Sequence, residues 1–172
     1  MRGILAGVGI VMLTTPVLAQ QSLDSQTVIV GAWTIATTYK ADKFENCTMM
    51  RTATGLGIAF VRNADGLLLA VDSPKWKLDR GKAYSVKLTA GSQSLDVKAL
   101  AESKSVTIAL ADRPFNERLR IASALDVRGE GATLRLPLDG SAAGLERLEQ
   151  CFDKNSKEGP EANPFVAPGK RP

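Results

Sequence analysis

Cys47 and Cys151 are the only two thiols of this chain, and histidine is absent altogether. A cysteine becomes a nucleophile when a neighbouring base or cation lowers its pKa. With the usual base missing, the two sulfurs read as a pair to be oxidised rather than as free reactive thiols. In an exported domain an even cysteine count reads as a bridge, and two cysteines allow one intramolecular pairing. The missing histidine also removes Ser-His-Asp, Cys-His and His-metal arrangements as usually built. No serine has a lysine three residues on, and neither a Gly-x-Ser-x-Gly elbow nor a phosphate-cradling glycine loop is present. Eighteen Asp and Glu residues leave carboxylate acid–base work on a glycoside as the one surviving chemistry. Their spacing nominates no pair, and solvated strand faces and helix caps account for them. The expectation is a protein with no catalytic residue, no metal and no cofactor.

Two other clusters suggest binding. In "SPKWKLDRGKAY" at 73–84, Lys75, Lys77, Arg80 and Lys82 bracket Trp76 with Asp79 as the single acid. An exposed tryptophan among cations grips an anionic polymer, a sugar ring or a lipid headgroup, since the ring stacks while the bases neutralise charge. The plainer reading makes Trp76 a cap on one end of the core, with Lys75 and Lys77 turned to water. Asn163, Pro164 and Phe165 form the tripeptide that eukaryotic endocytic adaptor domains bind. The plainer reading there is Phe165 anchoring the tail on its own domain.

The elements that must position these residues are mainly β. Trp33, Ile35 and Thr37 alternate with Thr34, Ala36 and Thr38, and the same period of two recurs at Tyr84, Val86 and Leu88. It appears again at Leu95 and Val97, at Val106, Ile108 and Leu110, and at Leu134, Leu136 and Leu138. Such strands bury one face and wet the other, the mark of antiparallel sheets. "NADG" at 63–66 joins 56–62 to 67–71, "AGSQS" at 90–94 joins two more runs, and "RGEG" at 128–131 separates 125–127 from 134–138. The spacing predicts an antiparallel β-sandwich or a partly open barrel. Two short helices complete it. In the first, Asp112 caps, Pro114 fits the first turn, and Phe115, Leu119 and Ala122 share a face. In the second, at the C-terminal end of the domain, Ser141 caps and Leu145, Leu148 and Phe152 recur at helical spacing beside Cys151.

Residues 1–19 have the layout of a secretory signal peptide, with Arg2, an apolar run from Gly3 to Leu13, the Pro16 break, and cleavage after Ala19. The run is about half the roughly 20 residues that a spanning helix needs. Residues 20–152 then form a single β-rich domain, and 153–172, with four prolines and no periodicity, a disordered or irregular C-terminal tail. No integral membrane segment follows the leader. The formal net charge is +4, with acids and bases interspersed, so the clustered footprint of a nucleic-acid binder is missing.

Trp33 opening the first strand, Phe44 and Cys47 soon after it, the run of hairpins, and the ending "LRLPLDGSAAGLERLEQCF" resemble small exported proteins of alpha-proteobacteria related to the invasion-associated locus B proteins. The resemblance spans Trp33 to Phe152. It implies a β-sandwich-like exported domain without known catalysis, some relatives being linked to host-cell invasion or envelope function. Members of that family often carry more cysteines than the two found here, and the family has no catalytic motif to carry over.

Together these readings lead to an exported, non-enzymatic binding protein of the bacterial periplasm or exterior. Its partner is a protein or envelope component, and a role on host cells as a secreted virulence-associated factor is the sharper version. The alternatives are an inhibitor of a lysozyme-type or protease-type hydrolase, presenting the Trp76 cluster on a rigid loop, and a carboxylate-dependent hydrolase.

Overall fold

Residues 27–41 and 43–157 are described by the computed structural model, and ten strands among them join in one antiparallel sheet. The expected leader at 1–19, the Asn163-Pro164-Phe165 tripeptide and the rest of the tail beyond 157 lie outside the described residues. Strands β1 (Val28–Val30), β2 (Trp33–Lys40), β3 (Lys43–Ala53), β4 (Leu56–Asn63) and β5 (Gly66–Asp72) follow one another as a meander. After a ten-residue loop come β6 (Ala83–Ala90), β7 (Gln93–Ala101) and β8 (Ser105–Ala109), and β8 turns back to pair with β5. Helix α1 (Arg113–Ile121) leads to β9 (Ala124–Arg128) and β10 (Thr133–Pro137), and helix α2 (Ser141–Lys157) ends the described chain. β9 pairs with β6, so the order is β1-β2-β3-β4-β5-β8-β7-β6-β9-β10. The end strands β1 and β10 do not meet. The expected antiparallel body with two helices is therefore present as an open sheet.

The turn chemistry explains the hairpins. Asn63 Oδ1 accepts from the backbone N–H of Asp65 and of Gly66, each at 3.0 Å, which folds the β4–β5 turn without help from elsewhere. A short strand, β1, precedes Trp33, so that residue opens the second strand rather than the first. Between β2 and β3 the register shifts at Thr38 and Tyr39. Phe44 and Cys47 are three apart, an odd interval that would send them to opposite faces of a regular strand. The bulge removes that conflict and lets both side chains meet α2.

A single apolar cluster takes side chains from β2 through β10 and from both helices. The sheet must curl around it, because strands as distant in the order as β2 and β10 contribute Trp33 and Leu136 to the same cluster. Trp33 is fully buried, sits 5.9 Å from the Phe60 ring, and donates through Nε1 to the carbonyl of Asp139 at 2.8 Å. Against it lies Gly144 on α2. A Cβ there would stand 2.7 Å from Met49 Sδ and 3.5 Å from Trp33 Cγ, so the helix can approach this closely only with glycine at that position.

Helix α1 begins as its sequence predicts: Asp112 Oδ1 accepts from the N–H of Phe115 at 2.7 Å, and Phe115 and Leu119 are buried. Helix α2 departs from expectation at both ends. Ser141 is its first residue rather than its cap, the preceding Gly140 taking a φ of 73°. The Ser141 hydroxyl is buried and donates 2.9 Å to the carbonyl of Leu119, one of the C-terminal carbonyls of α1 that have no partner within their own helix. At the other end α2 runs to Lys157, so residues 153–157, read from sequence as tail, are helical. There Asn155 accepts from the Tyr39 hydroxyl at 2.7 Å and ties the last turn to β2.

Cys47 and Cys151 are disulfide-bonded, with Cα atoms 6.2 Å apart across a separation of 104 residues. The bond staples α2 to β3, and no free cysteine remains among the described residues. In the chain-entropy picture a loop of this size contributes up to about 4.7 kcal/mol by restricting the unfolded chain. A bridge of this kind fits maturation in an oxidising compartment.

Candidate functional site

Between Asp72 and Ala83 the chain leaves the sheet and forms the loop that carries the basic tryptophan cluster. It is anchored rather than loose. Buried Ser73 donates its N–H to the carbonyl of Lys104 at 3.0 Å, Leu78 donates to Ser103 at 3.0 Å, and Gly81 to Ala101 at 2.8 Å. These bonds lay the loop along the turn between β7 and β8. They turn Trp76 and Leu78 toward the sheet, where both are half-buried, and leave Lys75 and Lys77 exposed.

Trp76 packs on the rim of the main core and at the same time lines a cleft of about 610 Å³. Trp76 is thus a core cap whose other surface faces a cavity. The floor of the cleft is Tyr84 and Val86 from β6, Val106 from β8, Val127 from β9 and Leu134 from β10, all inward-facing positions of their strands. Its far wall is the turn 129–132 between β9 and β10. Lys82 stands at the mouth. Its Nζ lies 5.0 Å from the Tyr84 ring centroid and 3.7 Å from Asp79 Oδ2. Arg80 points away and pairs with Glu102 at 2.8 Å. So the structure brings Trp76 and Lys82 to the cleft, keeps Lys75 and Lys77 on the solvent side of the same loop, and engages Arg80 with β7's end.

The sequence pattern marked Tyr84, Val86, Val127 and Leu134 only as strand positions. They line a cavity because β6 changes neighbours midway. β7 accompanies β6 over its whole length, whereas β9 pairs with it only at 87–90. At Arg128 the β9–β10 hairpin turns away, and the space it vacates is the cleft.

An apolar, aromatic-lined cavity with Lys82 at its entrance and Glu130 in its far wall has the shape and lining of a site for a ligand with an apolar body. Among the described residues no three His, Cys, Asp or Glu side chains cluster so as to hold a metal ion. No described helix is long and apolar enough to cross a membrane.

The fold defines a class: an open, curled antiparallel sheet closed by a disulfide-stapled C-terminal helix. The same fold occurs in the crystal structure of invasion associated protein B from Bartonella henselae. That structure is 19% identical in sequence and superposes with a TM-score of 0.57, over 76% of this chain and 99% of the other. No family model matches the chain, and no curated protein matches it in sequence.

Proposed function

We propose that this chain is an exported, non-enzymatic binding protein of the bacterial periplasm or exterior, which takes its ligand in the cleft beneath Trp76. The observation that carries the reading is the cleft itself: Trp76 over a floor of Tyr84 and aliphatic side chains, with Lys82 at the mouth. Export is supported by the signal-like residues 1–19 and by the Cys47–Cys151 bridge. The fold shared with an invasion-associated protein supports the sharper form of the proposal, a virulence-associated factor acting on host cells.

The test is capture of envelope fractions and of host-cell membranes by the disulfide-bonded protein, wild type against Trp76→Ala. Retention by wild type and a loss of about tenfold or more in the variant are expected, the scale at which truncating a central aromatic anchor is felt. If wild type retained neither material, or if Trp76→Ala bound as well as wild type, the reading would fail.

A further inference from the structure

The cleft has a backbone wall as well as a side-chain floor. Residues 83–86 of β6 have β7 on one side and no strand on the other among the described residues, since β9 joins β6 only from Lys87 onward. The direction of the unpaired groups follows from the neighbouring bonds. Ala101 of β7 donates to the carbonyl of Lys82 at 2.9 Å, so Lys82 faces β7. In an extended strand, successive backbone groups face opposite sides. Tyr84 and Val86 therefore also face β7, and the N–H and C=O of Ala83 and Ser85 face the gap. Both residues are exposed.

Concavities lie on both faces of the sheet at this gap. The inner one is the cleft below Trp76. The outer one, about 680 Å³, is lined by Lys87, Asp96, Lys98, Arg128 and neighbouring residues. The two share Ser85, Val86, Gly129 and Glu130, the residues that flank the gap. A strand laid along residues 83–86 would send alternate side chains to the two faces, one set onto Trp76, Tyr84 and Leu134, the other toward the charged outer groove. Of the charged groups there, Lys87 is paired with Asp96 at 3.7 Å, and Lys98 donates to Ser85 Oγ at 2.6 Å. Arg128 makes no ion pair among the described residues. With Lys82 at the inner mouth, four cations (Lys82, Lys87, Lys98 and Arg128) stand around the gap against three acids, Asp96, Glu130 and the Asp79 that pairs with Lys82.

The other sheet edges are poorer templates. β1 is three residues long, and β10 carries Arg135 and Pro137, features that discourage pairing at an edge. Among the described residues β2 at 36–40 and β7 at 93–98 also lack a strand on one side, but of these open stretches it is 83–86 of β6 that borders the cleft beneath Trp76.

We infer that residues 83–86 of β6 accept an extended acidic peptide segment by β-strand addition, its apolar side chains entering the cleft beneath Trp76 and its acidic ones meeting Lys98 and Arg128. This rests on the cleft being the protein's binding site. Main-chain hydrogen bonds to Ala83 and Ser85 would supply affinity, and the two concavities would set the alternation of apolar and acidic residues.

The test begins with a phage-displayed library of random twelve-residue peptides, selected on the protein with its Cys47–Cys151 bond intact. Enriched peptides are then titrated into ¹⁵N-labelled protein. Expected are sequences alternating apolar and acidic residues, and amide exchange at Ala83 and Ser85 slowed about tenfold or more when they bind. Ser85→Pro, which deletes an edge N–H, is expected to weaken binding by about tenfold, and Ser85→Ala to change it by less than about twofold. No enrichment over the unselected library overturns the inference. So do peptides that bind without protecting Ala83 and Ser85, or protection of those amides by phosphatidylglycerol vesicles in place of peptides. If Ser85→Pro does not fold, the exchange measurement on wild type decides. Should Trp76→Ala abolish capture of envelope or host material while Ser85→Pro leaves it intact, strand addition falls and the cleft reading stands.

Discussion

Arg62 on β4 lies over the ring of Phe152 on α2, its guanidinium carbon 4.3 Å from the ring centroid, while its Nε donates to Glu149 at 3.0 Å. Phe152 in turn meets Phe44 at 5.7 Å. A cation, an acid and two rings thus hold the second half of α2 against β3 and β4. Because Arg62 and Glu149 are partly exposed, the ion pair itself contributes little, and the stacked cation adds a comparable increment. Arg62→Ala is expected to lower the unfolding free energy by about 1 kcal/mol in urea titration under oxidising conditions. A loss above about 3 kcal/mol would show that the pair is worth far more than its exposure allows.

Opening the Cys47–Cys151 bond removes the constraint on a loop that spans most of the domain. Cys47→Ala, Cys151→Ala and the double variant are expected to lose about 2–5 kcal/mol each, and nearly the same amount as one another, because each deletes the same link. Thermal unfolding of the three variants beside the reduced wild type checks this. A double variant much less stable than either single one would refute a common cause.

Ser141 joins the two helices through one buried hydrogen bond to Leu119. Ser141→Ala leaves that carbonyl without the partner, at an expected cost of about 1–3 kcal/mol. Chemical denaturation measures it. A neutral substitution would mean that the hydroxyl is dispensable to the helix–helix contact.

The two tryptophans stand in different surroundings, Trp33 fully buried and Trp76 half-exposed above the cleft. Acrylamide is expected to quench the Trp76 component of the fluorescence and spare Trp33. In Trp76→Phe the residual emission should lie to the blue and resist quencher. Equal accessibility of both components would contradict the seating of the loop.

Much of this build was legible in the residues. The period of two around Tyr84, Val86 and Leu88 marks β6, the Asp112 cap and the Phe115–Leu119 spacing mark α1, and the cysteine pair marks the staple. These are local signals, or, for the cysteines, a matter of counting. The path of the sheet was not legible, because the insertion of β8 between β5 and β7, and of β6 between β7 and β9, depends on pairings between distant segments. The cleft follows from that path, so Leu134 and Val127 had no local mark of a ligand-facing role. Ser141 misled for a related reason: a serine before a helical pattern signals a cap, yet here a carbonyl on another helix claims the hydroxyl. The polar run after Phe152 read as tail, whereas Asn155 there accepts from Tyr39 on β2 and donates to the Cys151 carbonyl, contacts that no local pattern announces.

The staple has a further consequence for how the molecule withstands proteases. Strands β4 to β10, α1 and most of α2 lie inside the ring that Cys47 and Cys151 close. One cut at any exposed turn within that ring leaves both fragments on a single covalent molecule, seated against the same hydrophobic partners. Such nicked protein would migrate as intact on a gel until a reductant separated the pieces.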